Sequence, residues 1–487
     1  MTIRTAALWS MGAQYLTFVI QFGVSVIVSR FFLTPAEVGL FSIALASTQL
    51  LAVLQEFGLT RYIAGQEKLD PKVLKTCASV ALVFAWGVAL FVGLAAWPIA
   101  AFYNDDRLVH LMLVLAASYL FVPFSVVPSA VMTRDMDFRA LFMVNTGSVV
   151  TMGAMALMLA YLGFSAFALA WSVVAQSVMR AVIAQWRQPV PMPFPLDMRG
   201  ALPVIKFGSA ASILYISGAI GTRSPDMIVG RLITLHAVGV FSRATSLAGQ
   251  LVVLVAGAVG GVFYPAFARM RDRGEAFAPA YYKVVGCFTA IVWPTMAGLA
   301  IGADPLVRAI YGENWVEVAP LLQAIALSEF FFVMLPLHME LPILAGRMNA
   351  LIRLNLLETA AAVSILAVAC TYGVEAAAYS RILYGAVWFA VYARFLHGIA
   401  GFKWLEMIRL YLLSGLGTLA AIVPLALFYK FWVPAVQMGF LQLVLGSAIG
   451  VIFWAATMAI TRHPALAEIR AILSPLTARL LPTKALV

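Results

Sequence analysis

The chain has 487 residues, of which 63% are hydrophobic and 11% are charged, and its formal net charge is +11. Soluble domains carry about 25% charged residues, so this composition excludes an ordinary soluble protein and indicates a polytopic membrane protein whose helices pack in lipid. In a soluble protein this positive charge would suggest binding to nucleic acid. In a membrane protein, the distribution of Lys and Arg first indicates which loops are cytoplasmic, so no nucleic-acid partner is expected.

Apolar runs long enough to cross a bilayer predict an all-α chain with about fourteen transmembrane helices. The first six lie at about 8–29, 38–60, 76–103, 108–132, 140–162 and 164–186. The next six lie at about 201–229, 237–266, 284–303, 318–345, 350–372 and 374–396, and two more at about 409–430 and 438–461. Since six is an even number, both six-helix lobes enter the membrane from the same side, which predicts a parallel repeat related by a pseudo-twofold axis.

A proline-rich stretch at residues 188–195 separates the two sets of six, and its four prolines exclude a continuous helix. The predicted organisation comprises a first lobe at 1–187, a linker at 188–200, a second lobe at 201–397, two further helices within 398–463, and an amphipathic cytoplasmic tail at 464–487.

A short pattern occurs twice in the chain, two hundred residues apart. The first copy has Gly39, Phe41, Ser42 and Ala44, and the second has Gly239, Phe241, Ser242 and Ala244. Each copy lies where one apolar run ends and the next begins, which indicates a helical hairpin repeated in two halves of a membrane protein. A chance match of common residues is the alternative.

Positive charge is distributed unevenly between the two sides of the predicted membrane. Of the 32 Lys and Arg residues, 24 fall on the side of the N-terminus, six on the other side and two inside spans. Cytoplasmic loops carry the excess of Lys and Arg in membrane proteins. Both termini are therefore predicted to be cytoplasmic.

Polar residues inside the spans lie on coherent helix faces. In the first helix they follow steps of three or four residues, which places Ser10, Gln14, Thr17, Gln21 and Ser25 on one face. Such a face needs water or a partner in lipid, so a water-filled cavity is predicted, with hydrogen bonding between helices as the alternative. The seventh and eighth helices carry similar faces, which include Arg223 and Asp226 on the seventh and Arg243, Ser246 and Gln250 on the eighth.

Ionisable residues well inside spans are few: Arg243, Glu329, Glu358 and Arg381, with Asp226 nearer a helix end. A charge in the bilayer is costly, so each needs a partner or water. Internal pairing, for example of Glu329 with Arg381 or of Asp226 with Arg243, is the structural interpretation. Arg243 lies on the polar face of a repeated hairpin, and this position favours a functional role.

The hairpin formed by Arg30, Pro35, Glu37, Gly39 and Phe41 resembles that of Wzx-type polysaccharide flippases, which belong to the multidrug/oligosaccharidyl-lipid/polysaccharide exporter superfamily. The resemblance extends over essentially the whole chain. Residues 132–139, which read MTRDMDFR, are similar to the branch that handles exopolysaccharide units.

This resemblance implies two lobes around a central cationic cavity in a bacterial inner membrane. The cavity would move a polyprenyl-pyrophosphate-linked oligosaccharide from the inner to the outer leaflet by alternating access, with polysaccharide polymerase and export machinery as candidate partners. The candidate substrate-binding residues are Arg243, Arg223, Gln14, Gln21, Gln250, Ser246 and Arg381. The candidate residues for coupling to H⁺ or Na⁺ are Asp226, Glu329 and Glu358. Ile43 stands where the second copy has Arg243, so symmetric binding of the pyrophosphate is in doubt.

Two other function classes are weighed against this one. A cation-coupled multidrug antiporter of the same superfamily should use acidic cavity groups, and Arg243 argues against it. A membrane glycan polymerase, ligase or acyltransferase would usually carry catalytic residues on a large outer loop, whereas the predicted outer loops are short. No catalytic residue is expected. The cysteines, Cys77, Cys287 and Cys370, are scattered at unrelated spacings, so neither a metal site nor a disulfide framework is predicted.

Overall fold

The computed structural model describes residues 3–52, 59–64, 69–434 and 437–466, and this part of the chain is helical with no strand. The first nine helices are α1 (Ile3–Phe31), α2 (Pro35–Ala52), α3 (Leu59–Ala64), α4 (Pro71–Tyr103), α5 (Arg107–Ser118), α6 (Pro123–Arg134), α7 (Phe138–Tyr161), α8 (Ala166–Arg187) and α9 (Ala201–Leu232). The rest are α10 (Leu235–Asp272), α11 (Ala278–Ile301), α12 (Ala303–Ile310), α13 (Val318–Met334), α14 (Glu340–Leu344), α15 (Met348–Cys370), α16 (Val374–Ala400), α17 (Trp404–Phe431) and α18 (Phe440–Ile460). The predicted all-α class is confirmed.

Local sequence signals explain several helix ends. Helix α4 begins with Pro71, which needs no hydrogen-bond partner at this position, and the Asp70 side chain caps it by accepting from the backbone N–H of Lys72 at 3.0 Å. Asn104 follows its last residue as the cap, and the φ of 54° places Asn104 in the left-handed region that Asn tolerates. Helix α16 is capped in the same way by Gly401, which follows it with a φ of 69°.

Every predicted apolar run contains a helix, but the count of fourteen spans is not confirmed. Within the described residues, ten helices are long and apolar enough to cross a membrane, or eleven if α5 and α6 form one span bent by 45°. The run predicted at 108–132 is divided because Pro123 begins a new helix. The run predicted at 318–345 is divided between α13 and α14, where Pro336 disfavours helical geometry in the residue before it.

Packing divides the chain into two compact units, Met1–Ser242 and Arg243–Val487. In the first unit, α7 packs against α8 and α1, and α4 packs against α5, α6 and α9. In the second unit, α11 packs against both α13 and α17, and it is the most buried of the ten apolar spans. The predicted lobe boundaries at 1–187 and 201–397 stay a prediction.

Residues 188–200 contain no helix, as their prolines predict, and they are bound to the first unit. The buried Ser79 hydroxyl on α4 accepts from the backbone N–H of Asp197 at 3.0 Å and donates to the carbonyl of Pro193 at 3.5 Å. The Thr76 hydroxyl donates to the carbonyl of Arg199 at 3.2 Å. Side chains on one face of α4 therefore hydrogen-bond to three backbone groups of residues 188–200 and hold this segment against α4. The tail predicted at 464–487 lies almost entirely outside the described residues.

A buried polar chain connects α11 and α17 to His463, which lies just beyond the end of α18. The backbone N–H of Ala465 donates to Nδ1 of His463 at 3.2 Å, so in the neutral ring Nε2 carries the proton and donates to the Ser414 hydroxyl at 3.1 Å. Ser414 in turn contacts the Thr289 hydroxyl at 2.8 Å. His463 is only 2% exposed, and burial lowers its pKa to about 4.

Candidate functional site

The polar stripe of α1 is only partly packed. Gln14 and Gln21 are exposed on the surface of the first unit, and Thr17 and Ser25 are half-buried. A different part of the helix surface meets α7, where Gly153 lies against Ile20 and Val24. The side chain of Ser10 lies outside the described residues. The two glutamines are therefore placed to meet water or another group rather than α7, and the cavity role of both stays a prediction.

Arg223 and Asp226 lie on α9 near the end of α4. They are one helical turn apart and interact electrostatically, and both are half-buried. On this side of the unit, Tyr103 donates its hydroxyl to the carbonyl of Met227 at 2.9 Å. The Arg231 guanidinium stacks over the Phe102 ring at 4.7 Å. The aromatic pair Phe102 and Tyr103 was not selected from the sequence, and its contacts attach α4 to α9.

Arg243 lies in the second unit, on α10, and is half-buried. Its Cζ atom lies 5.9 Å from the centre of the Trp315 ring, at the outer range of a cation–π contact. Ser246 and Gln250 follow on the same helix and are half-buried too. The structure therefore places these three predicted residues along α10 and adds Trp315, which sequence analysis did not select.

Glu329 and Arg381 form the ion pair that the structural interpretation predicted. Nη2 of Arg381 on α16 donates to the carboxylate of Glu329 on α13 at 3.0 Å, and Nε donates to the Ser328 hydroxyl at 3.4 Å. The Arg381 side chain is 24% exposed and the Glu329 side chain is 12% exposed. The Arg381 guanidinium also lies 5.8 Å from the centre of the Phe332 ring. These contacts give Arg381 a structural role, whereas its role in substrate binding stays a prediction.

Glu358 on α15 joins the same network through a tyrosine. The Tyr384 hydroxyl on α16 donates to the Glu358 carboxylate at 2.8 Å, and the Tyr384 ring packs on Phe332 with centres 5.3 Å apart. Both acidic side chains proposed for ion coupling in the second unit are therefore attached to α16, which lies between α13 and α15. No group of three or more His, Cys, Asp or Glu residues that could hold a metal occurs in the described part of the chain.

Charged residues at the start of α5 and on the short helix α12 are also paired. Arg107 binds the Asp105 carboxylate at 2.6 Å, and this hydrogen-bonded cation lowers the pKa of Asp105. Arg308 binds Asp304 at 3.0 Å and also contacts Glu313, and these hydrogen bonds raise its pKa. These two arginines, which the topology count placed on the side opposite the termini, have carboxylate partners.

Glu37 in the repeated hairpin acts as a local connector. Its carboxylate accepts from the backbone N–H of Thr34 at 2.7 Å and from the Thr34 hydroxyl at 2.9 Å, and it also accepts from the Ser165 hydroxyl. Ser165 lies in the turn between α7 and α8 with a φ of 54°, a conformation that costs a non-glycine residue energy. Glu37 thereby joins the start of α2 to that turn.

The two copies of the repeated hairpin contact each other symmetrically within the first unit. The Ser42 hydroxyl donates to the Ser242 hydroxyl at 3.1 Å. Gly39 lies so close to Leu235 that a methyl group on it would overlap the Leu235 carbonyl, and Gly239 stands in the same relation to the carbonyl of Pro35. Ser42 and Ser242 are two hundred residues apart. The same offset relates Gly39 to Gly239 and Pro35 to Leu235, so the two glycine contacts are equivalent, as a twofold arrangement requires. The geometry supports the predicted internal repeat.

The symmetry extends to a pair of threonines that sequence analysis missed. The Thr234 hydroxyl accepts from the backbone N–H of Ala237 at 3.1 Å, and the Thr34 hydroxyl accepts from the N–H of Glu37 at 3.4 Å. Both contacts are the usual side-chain cap at the start of a helix. The offset of two hundred between Thr34 and Thr234 is visible in the sequence and would have identified both caps.

Comparisons with known proteins find similarity to proteins of polysaccharide biosynthesis. A family described as polysaccharide biosynthesis protein matches residues 27–320. The succinoglycan biosynthesis transport protein ExoT of Rhizobium meliloti (strain 1021) is 27% identical over 352 residues, which cover 69% of this chain and 68% of that protein. The teichuronic acid biosynthesis protein TuaB of Bacillus subtilis (strain 168) is 24% identical over 50% of this chain and 51% of its own length. The lipopolysaccharide biosynthesis protein WzxC of Escherichia coli (strain K12) is 20% identical over 59% of each chain.

Two solved structures share the fold. The lipid II flippase MurJ in an inward closed conformation superposes with a TM-score of 0.74 at 11% identity, over 94% of this chain and 98% of that one. An inward-facing multidrug resistance transporter of the MATE family and the MOP superfamily gives a TM-score of 0.52 at 15% identity, over 82% of this chain and 96% of that one. At such low identities the likeness concerns the fold alone.

Proposed function

This chain belongs to the polysaccharide biosynthesis protein family, and from that premise we propose that it is a flippase that carries a lipid-linked oligosaccharide across a bacterial inner membrane. The observation that carries the proposal is the family match over residues 27–320 together with relatives named for polysaccharide transport. The resemblance to Wzx-type flippases predicted from the hairpin is in agreement with this membership. The chain acts as a transporter rather than an enzyme, with both termini in the cytoplasm.

The substrate of such a transporter combines a charged head, a polar glycan and an apolar tail. A pyrophosphate that enters the membrane needs desolvated donors, and arginine binds phosphate oxygens with two parallel N–H groups. Arg243 is our first candidate for this contact and Arg223 is the second, because both are half-buried on helices that belong to the repeated hairpin. The polar residues Gln14, Gln21, Ser246 and Gln250 would face the glycan.

The transport cycle needs a source of free energy, and a membrane carboxylate that binds H⁺ or Na⁺ supplies one by favouring one arrangement of the lobes over the other. Asp226 is the best candidate, because Glu329 and Glu358 are already hydrogen-bonded to Arg381 and Tyr384. Asp226 is half-buried next to Arg223, so its occupancy by a cation would also change the charge beside a candidate substrate ligand.

Loss of the gene tests the proposal directly. Cells that lack the chain should stop exporting glycan and accumulate the lipid-linked oligosaccharide in the inner leaflet, and the intact chain should reverse both effects. Purified chain in proteoliposomes should move a fluorescent lipid-linked oligosaccharide between leaflets. Normal glycan export in the deleted cells, combined with new sensitivity to cationic drugs, would instead support the multidrug antiporter.

A further inference from the structure

Arg180 on α8 of the first unit binds a neutral partner inside the predicted span. Its Nη2 atom donates to Oδ1 of Asn145 on α7 at 2.9 Å. Arg180 lies seven residues before the last residue of α8, and Asn145 lies seven residues after the first residue of α7. At a rise of about 1.5 Å per residue, both positions are roughly 10 Å from the helix ends. Asn145 therefore holds the guanidinium within the span, where an unpartnered arginine would extend towards the interface.

Arg180 keeps its positive charge in this arrangement. By contrast, Arg107, Arg308 and Arg381 each bind a carboxylate, which neutralises the charge of the guanidinium. An amide oxygen orients a guanidinium without neutralising it and occupies one of its five N–H donors. A cation of this kind attracts an anion that can accept from several donors at once. The pair of Arg180 and Asn145 thus has the properties of one wall of an anion site.

Arg180 faces away from the lipid side of α8. The exposed apolar residues Trp171, Val182 and Trp186 lie within a sector of about 60° on this helix, at about 100° per residue. Arg180 is also exposed, but it lies about 150° from the centre of that sector. The apolar side suits lipid tails and the charged side does not. The side of α8 that carries Arg180 therefore faces a polar space.

Helix α7 is divided in the same way. Its exposed residues Val150, Met158 and Tyr161 lie within a sector of about 80°, and Asn145 lies on the opposite side of the helix. The hydrogen-bonded pair is therefore on the side of the α7–α8 layer that is turned away from lipid.

Contacts between α1 and α7 fix the depth of Gln14. The Trp9 ring packs on Phe142 with ring centres 5.1 Å apart, and Gly153 lies against Ile20 of α1. Residue numbers rise together along the two helices, so the helices run parallel. In this register Gln14 lies within about one helical turn, or roughly 5 Å along the axis, of the amide that binds the guanidinium.

The glutamines of α1 also lie on the same side as this amide. Viewed from the starts of the two parallel helices, residues advance clockwise in both, because both helices are right-handed. On α7 the clockwise order is Gly147, which contacts Ile183 of α8, then Asn145, then Phe142, which contacts α1. On α1 the glutamines follow the α7 contact by about a quarter of a turn in the same sense. Both sets of amides therefore line one side of the α1–α7 pair.

We propose that Arg180, Asn145 and Gln14 form an oxyanion site that receives the substrate before it crosses the membrane. This inference rests on the proposed flippase function and adds a cation of the first unit to Arg223 and Arg243. The site lies near the helix ends that are predicted to be cytoplasmic, where the substrate would enter. Its guanidinium suits the diphosphate of a lipid carrier or the carboxylate of an acidic sugar. The Gln14 amide suits the hydroxyl groups of a sugar beside that anion.

Direct binding tests the site. The purified chain in detergent should bind farnesyl diphosphate, a short lipid diphosphate, or a glucuronate oligosaccharide. Arg180→Gln should weaken binding of one of these probes by about tenfold or more, because it removes charge-assisted hydrogen bonds. The probe that is affected identifies the source of the oxyanion. Unchanged affinity for both probes would overturn the proposal.

Arg187→Gln is the matched control. Arg187 is exposed on the same helix, at its last residue, and its guanidinium lies 5.6 Å from the centre of the Trp186 ring. It removes the same charge outside the proposed site, so affinity should change by less than about twofold. An equal loss of affinity in Arg180→Gln and Arg187→Gln would mean that overall charge, and not this site, attracts the anion.

Asn145→Asp separates binding from folding. The new carboxylate keeps the contact between α7 and α8 as an ion pair with Arg180, so thermal stability should not fall. If Arg180 only joins the two helices, binding and export should stay normal. If the pair binds an oxyanion, the carboxylate occupies its donors and repels the ligand, so binding and export should both decrease. Normal binding and export in Asn145→Asp would contradict the proposal.

These measurements also separate the site from the proposed function, because binding to the purified chain does not depend on export. Binding that requires Arg180, in a chain whose deletion leaves glycan export normal, would retain the anion site and remove the flippase function. Loss of export on deletion, combined with normal binding and export in Arg180→Gln, would retain the function and remove the site.

Discussion

Arginine at position 243 occupies the place that isoleucine takes in the first copy of the hairpin. Ile43 is fully buried against Gly230, so the first copy uses this position for packing. The second copy uses it to hold a guanidinium beside Trp315. A cation in the membrane is energetically costly, so a chain that keeps one there usually has a function for it. The difference between two otherwise matching positions is the main reason to assign Arg243 to the substrate.

Substitutions of Arg243 distinguish the contribution of its positive charge from that of its planar pair of donors. Arg243→Ala should abolish glycan export while membrane abundance stays near normal, and Arg243→Lys should restore only part of it, because an ammonium group lacks the planar pair of donors. Export assays and immunoblots of the membrane fraction measure the two effects. Full activity of the lysine variant would mean that charge alone suffices and that bidentate binding does not occur.

The Glu329–Arg381 pair should behave as a structural unit. Glu329→Gln leaves the partly buried Arg381 cation without its carboxylate and should lower stability by about 2 kcal/mol or more. Glu329→Gln combined with Arg381→Gln should recover most of that loss, since no charge then remains unpaired. Thermal unfolding of the purified variants measures this. A double variant that is stable but inactive would point to ion coupling or substrate binding by these residues.

The helices were easier to predict from the sequence than the positions at which they are interrupted. Long apolar runs favour helices because lipid offers backbone groups no other hydrogen-bond partner, and each predicted run contains a helix within the described residues. The breaks before Pro123 and near Pro336 were missed, since proline is tolerated inside other spans here, such as at Pro98 of α4. Periodicity likewise placed the polar residues on their helices, and the cost of a buried charge predicted the pair of Glu329 with Arg381. Neither argument could predict that Glu358 meets Tyr384.

The junction of α11, α17 and α18 should respond to acid. His463 has a pKa of about 4 in the folded chain against 6.5 for an ordinary histidine, so the unfolded chain binds a proton first as the pH falls. Stability is therefore unaffected above about pH 6.5 and decreases from there towards pH 4. Thermal unfolding in detergent at pH 7.5 and at pH 5 should show this decrease, and His463→Gln should reduce it. An unchanged pH profile in the variant would contradict a role for His463.

The chain as a whole is predicted to span the membrane with both termini in the cytoplasm. A reporter fused after Arg187 or after residue 466 should be cytoplasmic, and one inserted at Asn104 should be outside, because Lys and Arg are concentrated on the terminal side. Alkaline phosphatase and fluorescent protein fusions report the two locations. A reporter at residue 466 that reads as external would require an odd number of spans.

The reciprocal contacts of Gly39 and Gly239 have a consequence for the history of the gene. If one ancestral half once formed a homodimer about the same axis, each mutation would have appeared in both subunits and altered both sides of this contact together. Fusion of two copies into one reading frame would remove that constraint. Selection could then keep glycine at both positions while Glu37 diverged from Ala237 and Ile43 from Arg243. A protein whose two halves vary separately can present different side chains to the two ends of an asymmetric substrate.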